Sequence, residues 1–444
     1  MRCQVLIGAV ALTVGSVVSA GVVTQSLRPE ARPAAEDVTR TAPLSLLPVT
    51  AGSVLRPQMR PVAQAPIVDA AANARFQNWI QAFRGRAVSQ GISAATFDQA
   101  FRGVQYDPDV IKRDRNQSEF TKTIWEYLAS AVSDSRIRDG KEALRAHNQK
   151  LDAIEARYGV EKEVVVAVWG LESRYGAYRG NNDVIQSLAT LAFDGRRGAF
   201  FEGQLVAALK ILQNGDTSPR NMTGSWAGAM GHTQFIPTSY LDYAVDFTGD
   251  GKRDIWSDDP TDALASTAAY LKRFGWIKGQ PWGVEVLLPD GFDFAQANRK
   301  IQKSPAEWAR LGVRGVDGNA VPNYGSGSIL LPAGGRGVAF MVFKNFAVIE
   351  RYNAADAYVI GVGHLSDRIK GGGAFVGNWP EGERPLTLRE RKELQQRLTR
   401  AGYDTQGVDG KVGPNTLAAV RAYQKSIGVP ADGFATVNLL NRLR

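Results

Sequence analysis

Residues 164–176, Val-Val-Val-Ala-Val-Trp-Gly-Leu-Glu-Ser-Arg-Tyr-Gly, form an apolar run that carries a single carboxylate, Glu172, near its end. Periodicity in so short a run does not by itself separate a helix from a strand. We predict a helix, because Leu151 and Ile154 precede the run at helical spacing and Gly176 can end a helix. The sequence therefore predicts a buried helix with Glu172 at its inner end.

The side chain of Glu172 has two interpretations at this point. Desolvation disfavours a charged carboxylate, so burial is expected to raise the pKa of Glu172. A carboxylic acid that stays protonated near neutral pH can act as a general acid on a glycosidic oxygen. The alternative is a structural glutamate at a helix end, paired with Arg174 or another arginine, since ion pairs also perturb pKa values.

Composition narrows the class of protein and its partners. A chain of 444 residues is expected to form two or three domains, and 44% hydrophobic with 22% charged residues is ordinary for a soluble protein. The net charge of +9 suits nucleic acid, an anionic membrane surface or an acidic polymer, or serves solubility alone. No Lys/Arg run is interleaved with aromatic residues, so we expect no nucleic-acid partner.

The N-terminus has the pattern of a secretory signal. Arg2 precedes an apolar stretch, Val5 to Val18, and Ala20 completes a small-residue cleavage site. We predict a signal peptide over residues 1–20 and an exported protein; retention as an uncleaved anchor is the alternative, although the stretch is short for a membrane span. Cys3, the only cysteine, precedes the stretch, so neither acylation there nor a disulfide is expected.

Further along the chain, the sequence predicts an α+β fold that is predominantly helical. A proline-rich linker over 21–70 precedes a main domain over 71–370, which combines an N-terminal helical region, a helical core and a small antiparallel sheet. The strand candidates lie at 282–288, 328–331, 338–343 and 347–351. A glycine-rich linker over 371–385 leads to a separate domain over 386–444 with a small helical core.

Several other chemistries lack their sequence signatures. The three histidines, His147, His232 and His364, form no H-E-x-x-H pair, which argues against a zinc hydrolase. A serine triad has no G-x-S-x-G elbow, and no P-loop or Rossmann fingerprint is present. We therefore expect no cofactor for the chemistry.

Residues 246–252, Asp-Phe-Thr-Gly-Asp-Gly-Lys, resemble the first half of a calcium loop. Oxygen ligands stand at alternate positions and glycine is sixth, but Ser257 occupies the twelfth position, where a bidentate glutamate is usual. The alternative is a metal-free polar turn held by Trp256.

The run around Glu172 resembles the catalytic motif of the lytic murein transglycosylases of the membrane-bound B type. Four further stretches match the same family in the same order, so that the resemblance covers roughly residues 76–370. They are Phe193–Arg197, Gly228–Tyr240, Asp246–Gly251 and Arg351–Asn353.

This resemblance implies a lysozyme-like core and an enzyme with Glu172 as its single acid/base. Such an enzyme, a carbon–oxygen lyase, cleaves the β-1,4 bond between N-acetylmuramic acid and N-acetylglucosamine without water and leaves a 1,6-anhydro end. The substrate-binding residues that it implies are Ser225, Gln234, Tyr270, Tyr352, Tyr358, Arg196 and Arg197. The ligands that it implies for a structural calcium are Asp246, Thr248, Asp250, Lys252 and Asp262.

Two departures from the family pattern affect these expectations. Ala355 stands where many relatives carry serine in a Tyr-Asn-x-Ser pattern, which removes one polar contact. The span from Asp246 to Asp262 is longer than expected for the calcium loop of the family.

Residues 386–444 resemble the three-helix peptidoglycan-binding module of wall enzymes, through two Asp-Gly turns and the helix around Tyr423. We therefore expect a monomer in the periplasm of a Gram-negative-type envelope, bound to peptidoglycan, with wall synthesis or remodelling proteins as candidate partners. Two alternatives stay open: a hydrolytic muramidase that uses a second carboxylate, and a non-catalytic wall-binding scaffold.

Overall fold

The computed structural model of the chain describes residues 70–116, 122–380 and 382–444. The predicted signal peptide and, apart from Ala70, the predicted proline-rich linker lie outside these residues. The predicted fold class is confirmed, since helices dominate the described residues and short strands form two antiparallel sheets. Across these same residues, none of the helices has both the length and the apolar character that crossing a bilayer requires.

In the described part of the chain, six helices precede the helix that carries Glu172. Ser93 is the N-cap of the second of these helices, because its side chain accepts a hydrogen bond from the Thr96 N–H. Thr123 and Glu126 form a reciprocal capping box at the start of the fourth helix. The six helices are α1 (Ala70–Ser89), α2 (Ala94–Ala100), α3 (Pro108–Arg115), α4 (Ile124–Ala131), α5 (Asp134–Ala146) and α6 (Asn148–Tyr158).

The predicted buried helix is α7 (Lys162–Ser173). Residues 164–169 are each at most 3% exposed, so the apolar run lies inside the main core. The helix ends three residues before the predicted stop at Gly176, because Arg174 already adopts a left-handed conformation and its N–H donates to the Gly170 carbonyl. The elements that follow α7 along the chain are β1 (Asn182–Asp183), α8 (Val184–Asp194), α9 (Gly198–Gln213), β2 (Thr223–Gly224), α10 (Pro237–Tyr243) and α11 (Thr261–Arg273).

A four-stranded antiparallel sheet lies beside the helical core. Successive residues of the inner strand over 339–342 point to opposite faces of the sheet. Phe340 and Val342 pack into the main core, while Met341 packs into a second, smaller core with Trp308. The elements of this layer are β3 (Gly283–Leu287), α12 (Pro305–Arg310), β4 (Arg314–Gly315), β5 (Ser328–Leu330) and β6 (Ala339–Val342). The strand order in the sheet is β4-β3-β6-β5.

The predicted strand over 347–351 is wrong, because these residues belong to α13 (Lys344–Tyr352). Phe346, Ile349 and Tyr352 are all buried in that helix at a spacing of three residues. The β-branched residues Val348 and Ile349 are typical of a strand, but burial across residues 344–352 follows the helical period. Next along the chain, α14 (Asp356–Lys370) packs against α7.

The C-terminal residues form α15 (Leu388–Arg400), α16 (Pro414–Ser426) and α17 (Val437–Leu443), around a small core of their own. This module touches the main domain, since the Gly335 N–H donates to Asp432 Oδ2 at 2.9 Å. The connecting segment also lies on the main domain. The Phe375 ring stacks on His364 with centroids 3.8 Å apart.

Candidate active site

Glu172 lies one residue before the end of α7 and is half-buried. The hydroxyl of Tyr358, in the first turn of α14, donates a hydrogen bond of 2.7 Å to Glu172 Oε1. Tyr358 is 6% exposed, so its ring lies in the core and only its hydroxyl reaches the carboxyl group. The packing of α14 on α7 therefore orients the carboxyl group from the side.

The first glycine of the Gly-Leu-Glu-Ser-Arg-Tyr-Gly segment, Gly170, is required for steric reasons. A Cβ at Gly170 would lie 2.6 Å from the Tyr175 ring, so only glycine lets that ring fold back on the helix. The Tyr175 hydroxyl then donates to the Arg136 carbonyl at 2.7 Å. Arg174 and Tyr175 both have positive φ, a conformation that costs free energy for side chains other than glycine. These contacts fix the chain immediately after Glu172.

A group of hydrogen-bonded residues at the end of α7, next to Glu172 in the chain, was not predicted from the sequence. The Trp169 indole N–H donates to His232 Nδ1 at 3.1 Å, and the Ser173 hydroxyl donates to the His232 carbonyl at 2.5 Å. All three residues are at most 3% exposed. The two matching sequence stretches already contained them, but 63 residues separate Trp169 from His232, and no local pattern pairs them.

The structure places two of the predicted substrate residues, Ser225 and Gln234, in the turns on either side of Met230. Ser225 Oγ accepts the Ala229 N–H at 3.0 Å. The Gln234 side-chain amide donates to the carbonyls of Arg179 and Gly231, and Gln234 has a φ of 54°. Both side chains therefore help to shape this loop.

The structure brings the predicted residues Tyr270 and Tyr352 together, with ring centroids 5.0 Å apart. The Tyr352 hydroxyl donates to the Thr233 carbonyl at 2.6 Å, and the Tyr270 hydroxyl donates to the Arg351 carbonyl at 2.5 Å. These bonds join α11 and α13 to the loop that carries Gln234.

The predicted residues Arg196 and Arg197 both pair with Asp114 Oδ1, each at 2.8 Å. Asp114 is 2% exposed and lies on α3, so the pair ties the chain after α8 to the N-terminal helices. The Arg196 side chain remains 49% exposed, which leaves part of its guanidinium accessible to solvent.

The acidic segment brings its carboxylates together despite its length. Asp246, Asp250 and Asp262 each offer one oxygen, and the three oxygens lie within 4.8 Å of one another. The Phe247 and Thr248 N–H groups donate to Asp262 Oδ1, and the Asp254 N–H donates to Asp262 Oδ2.

The environment affects the pKa values of two of these aspartates in opposite directions. Burial raises the pKa of Asp262, although the three backbone N–H groups partly offset this effect. At Asp246, desolvation alone would raise the pKa, but N–H groups from Gly251, Gly249 and Asp250 outweigh it and lower the pKa.

A concavity of about 500 Å³ lies at the other end of α7, where Lys162 begins the helix. At a rise of about 1.5 Å per residue, roughly 15 Å of helix separates it from Glu172. Lysines and acids line it together, among them Glu163, Lys278 and Lys370. This concavity therefore lies away from Glu172.

Two segments of the chain match known protein families, and the chain also matches a curated relative. Residues 75–367 match the family described as the transglycosylase SLT domain, and residues 387–443 match a peptidoglycan binding domain family. The chain is 33% identical to the membrane-bound lytic murein transglycosylase B of Escherichia coli over 250 residues, which cover 55% of this chain and 66%, just under two thirds, of that enzyme.

Solved structures give a wider match. SltB3 from Pseudomonas aeruginosa, in complex with NAG-anhNAM-pentapeptide, is 53% identical with a TM-score of 0.81, and the match covers 83% of this chain and 99% of that chain. Slt35 from Escherichia coli, in complex with calcium, is 29% identical with a TM-score of 0.57, and the match covers 68% of this chain and 94% of that chain. The chain therefore belongs to the transglycosylase SLT domain family and carries a peptidoglycan binding domain at its C-terminus.

Proposed function

We propose that the chain is a lytic transglycosylase that cleaves the β-1,4 bond between N-acetylmuramic acid and N-acetylglucosamine in peptidoglycan. Glu172 serves as the single acid/base, and the product ends in 1,6-anhydro-N-acetylmuramic acid. The observation that carries this proposal is the half-buried carboxyl group of Glu172, which the Tyr358 hydroxyl orients at 2.7 Å. The complex of SltB3, a relative at 53% identity, with NAG-anhNAM-pentapeptide supports the anhydro product.

The reaction takes two proton transfers through the same carboxyl group. Glu172 first protonates the glycosidic oxygen, and the bond between that oxygen and C1 of N-acetylmuramic acid breaks to release N-acetylglucosamine. Its carboxylate then accepts the proton of the C6 hydroxyl of N-acetylmuramic acid as that oxygen bonds to C1. Because the nucleophile belongs to the same sugar, proximity replaces the activation of a water molecule.

A hydrolytic muramidase would need a second carboxylate beside the bond. The two acids closest in sequence after Glu172 have structural partners. Asp183 accepts the Gln186 N–H at 2.9 Å and caps α8, and Asp194 pairs with Arg115 at 2.7 Å. These contacts favour the internal nucleophile.

We propose the residues predicted from the family as the substrate contacts. Aromatic rings suit the faces of sugars, and polar groups orient hydroxyl and acetamido groups. The contacts of two of these residues support a role in binding. The side-chain amide of Gln234 is fixed by two carbonyls. Arg196 keeps an accessible guanidinium for the carboxylates of the peptide stems. The full set is Ser225, Gln234, Tyr270, Tyr352, Tyr358, Arg196 and Arg197.

The acidic segment fits a structural calcium ion. Calcium prefers several oxygen ligands, and three carboxylate oxygens already lie together here. A cation would offset the cost of ionising Asp262, which is 2% exposed. The ligands would be Asp246, Thr248, Asp250, the carbonyl of Lys252 and Asp262, and the complex of Slt35 with calcium supports this assignment.

The C-terminal module would hold the enzyme on the wall, and its family match over residues 387–443 supports that role. The substrate places the enzyme at the cell wall, and we propose the periplasm as its compartment. We also propose that it acts as a monomer.

The experiment that tests the reaction is digestion of purified sacculi in water enriched with heavy oxygen. Anhydro ends without label are expected, lighter by one water than hydrolysed ends. A labelled reducing end as the main product would mean that water is the nucleophile and would replace the proposal with a hydrolytic muramidase.

The role of Glu172 needs its own variants. Glu172→Gln keeps the shape but removes the transferable proton, and it should lower the rate by at least roughly 10²–10⁴-fold. The matched control is Glu163→Gln, which changes another half-buried glutamate of α7 and should keep the wild-type rate. A Glu172→Gln enzyme of wild-type rate would contradict the assignment.

A further inference from the structure

His232 lies where three segments meet behind Glu172, and it is 3% exposed. Its ring contacts the Trp169 ring edge-on, with centroids 5.6 Å apart. It also lies against Gly176, where a Cβ would come within 2.7 Å of Cε1 and Nδ1. Its Nε2 lies 2.7 Å from the Ser257 carbonyl, and its backbone N–H donates to the Ile255 carbonyl at 3.0 Å.

These contacts fix the tautomer of His232. An indole N–H can only donate, so His232 Nδ1, at 3.1 Å from Trp169 Nε1, must present a lone pair. A neutral imidazole then carries its proton on Nε2, which donates to the Ser257 carbonyl. Arg179 Nη1 lies 3.3 Å from Nε2, but two N–H groups cannot bond each other. Arg179 donates instead to the carbonyls of Trp256 and Ser257.

The same residue holds the end of α7 through its main chain. The Ser173 hydroxyl donates to the His232 carbonyl at 2.5 Å and accepts the Gly176 N–H at 3.0 Å. Ser173 follows Glu172 directly, and Trp169 lies one turn before Ser173 on α7. Trp169 and Ser173, which hold the end of α7, therefore both bond to His232.

We propose that His232, as the neutral tautomer protonated on Nε2, is a positioning residue that fixes the end of α7 carrying Glu172. This inference rests on the proposed catalytic role of Glu172. His232 does not touch the substrate in this account; it acts through Trp169 and Ser173. A displacement of about 1 Å at a reacting group can cost on the order of 10²-fold in rate, so a small shift of the helix end is enough.

The surroundings keep the ring neutral. Burial is the main cause that lowers the pKa of His232, and the nearby positive charge of Arg179 acts in the same direction. The Ser257 carbonyl and the carboxylates of Asp254 and Asp258 oppose this shift. A second proton would place an N–H at Nδ1 against the indole N–H of Trp169, and that bond would be lost.

The tautomer can be tested on the wild-type enzyme by ¹⁵N NMR of protein labelled at histidine. Near neutral pH, His232 should show a bare Nδ1 and a protonated Nε2. A proton on Nδ1, or an imidazolium, would overturn the inference. This measurement does not depend on activity, so it stands whether or not Glu172 proves catalytic.

Variants test the positioning role with soluble glycan fragments as substrate. His232→Leu should lower kcat on the order of tenfold to hundredfold with little change in KM. His232→Asn places an amide oxygen near the position of Nδ1, so it should keep the Trp169 bond and recover part of kcat. The matched control is His147→Asn, because His147 packs edge-on against the same indole, at 5.5 Å.

Trp169→Phe provides a second route if His232→Leu does not fold. It keeps an aromatic ring but removes the N–H that donates to His232, so kcat should fall with KM unchanged. Either variant, folded by circular dichroism and with wild-type kcat, would overturn the inference. If Glu172→Gln is inactive while these variants have wild-type kcat, only the inference about His232 fails.

Discussion

The hydroxyl of Tyr358 donates a hydrogen bond of 2.7 Å to Oε1 of Glu172, across 186 residues of sequence. The bond joins α14 to the end of α7 and connects Tyr358 directly to the proposed acid/base. Tyr358 was predicted as a substrate residue. The geometry gives it the further task of orienting the carboxyl group.

Tyr358→Phe should therefore lower kcat by roughly tenfold to 10²-fold, because the carboxyl group loses the contact that fixes its rotamer. The measurement is steady-state kinetics on soluble glycan fragments. Tyr403→Phe is the matched control, since it removes a tyrosine hydroxyl that bonds Ser426 in the C-terminal module. Equal kcat in wild type and Tyr358→Phe would mean that the bond does not orient Glu172.

Ala355→Ser should stabilise the protein. Ala355 is the N-cap of α14 and has a φ of −77° and a ψ of 123°, which suit a capping serine, but it offers no side-chain acceptor. A serine hydroxyl there should accept an N–H of the first turn and add about 0.5–2 kcal/mol. Urea unfolding measures the change, and Ala354→Ser serves as the control. A midpoint unchanged from wild type would contradict the capping argument.

Stability should fall in acid through His364. Burial lowers the pKa of His364 from 6.5 to about 4. The unfolded chain therefore takes up a proton between these values while the folded chain does not, so stability is complete above pH 6.5 and is lost as the pH falls toward 4. A difference of this size corresponds to about 3 kcal/mol.

His364→Phe keeps a ring against Phe375 but cannot titrate, so its free energy of unfolding should fall less between pH 7 and pH 4.5. Asp367, on the same helix, acts in the opposite direction. Burial raises its pKa from 3.8 to about 6, so its contribution to stability is lost as the pH rises from 3.8 to about 6. Both proteins keep Asp367, which isolates the histidine. Parallel curves of stability against pH would rule His364 out as the cause.

Calcium should raise the melting temperature. A ligand that binds only the folded state stabilises it by about 2.7 kcal/mol at a hundredfold excess over its Kd. Differential scanning calorimetry with calcium and with a chelator measures the effect. Asp250→Asn should reduce the shift. If neither calcium nor chelation changes the melting temperature, the segment is a metal-free polar turn.

Deletion of residues 386–444 should weaken pelleting with intact sacculi by at least about tenfold, because linking two binding units raises the apparent affinity. Both the full chain and the deletion should carry Glu172→Gln, so that the wall is not digested during the assay. Turnover of short soluble fragments, measured in the corresponding active forms, should be nearly unchanged. Equal pelleting of both forms would remove the proposed role of the module.

The sequence alone determined the features that depend on neighbours along the chain. The apolar run around Glu172 predicted α7, and the apolar residues after 386 predicted a small helical core, while the number of three helices came from the family resemblance. Each of these depends on contacts within a few turns, where helical period and capping act directly. The short segment 347–351 failed because five residues do not separate the two periods.

Only the tertiary structure decided which distant residues meet. From the sequence, the partner considered for Glu172 was Arg174 or another arginine, and the bond from Tyr358 follows only from the packing of α14 on α7. His232 likewise has a role only where its ring meets Trp169. Asp262 joined Asp246 because the chain between them folds back on itself, which spacing alone did not indicate. The physical reason is that such contacts depend on how whole elements pack, and the packing of one helix face on another is not written in any single stretch of sequence.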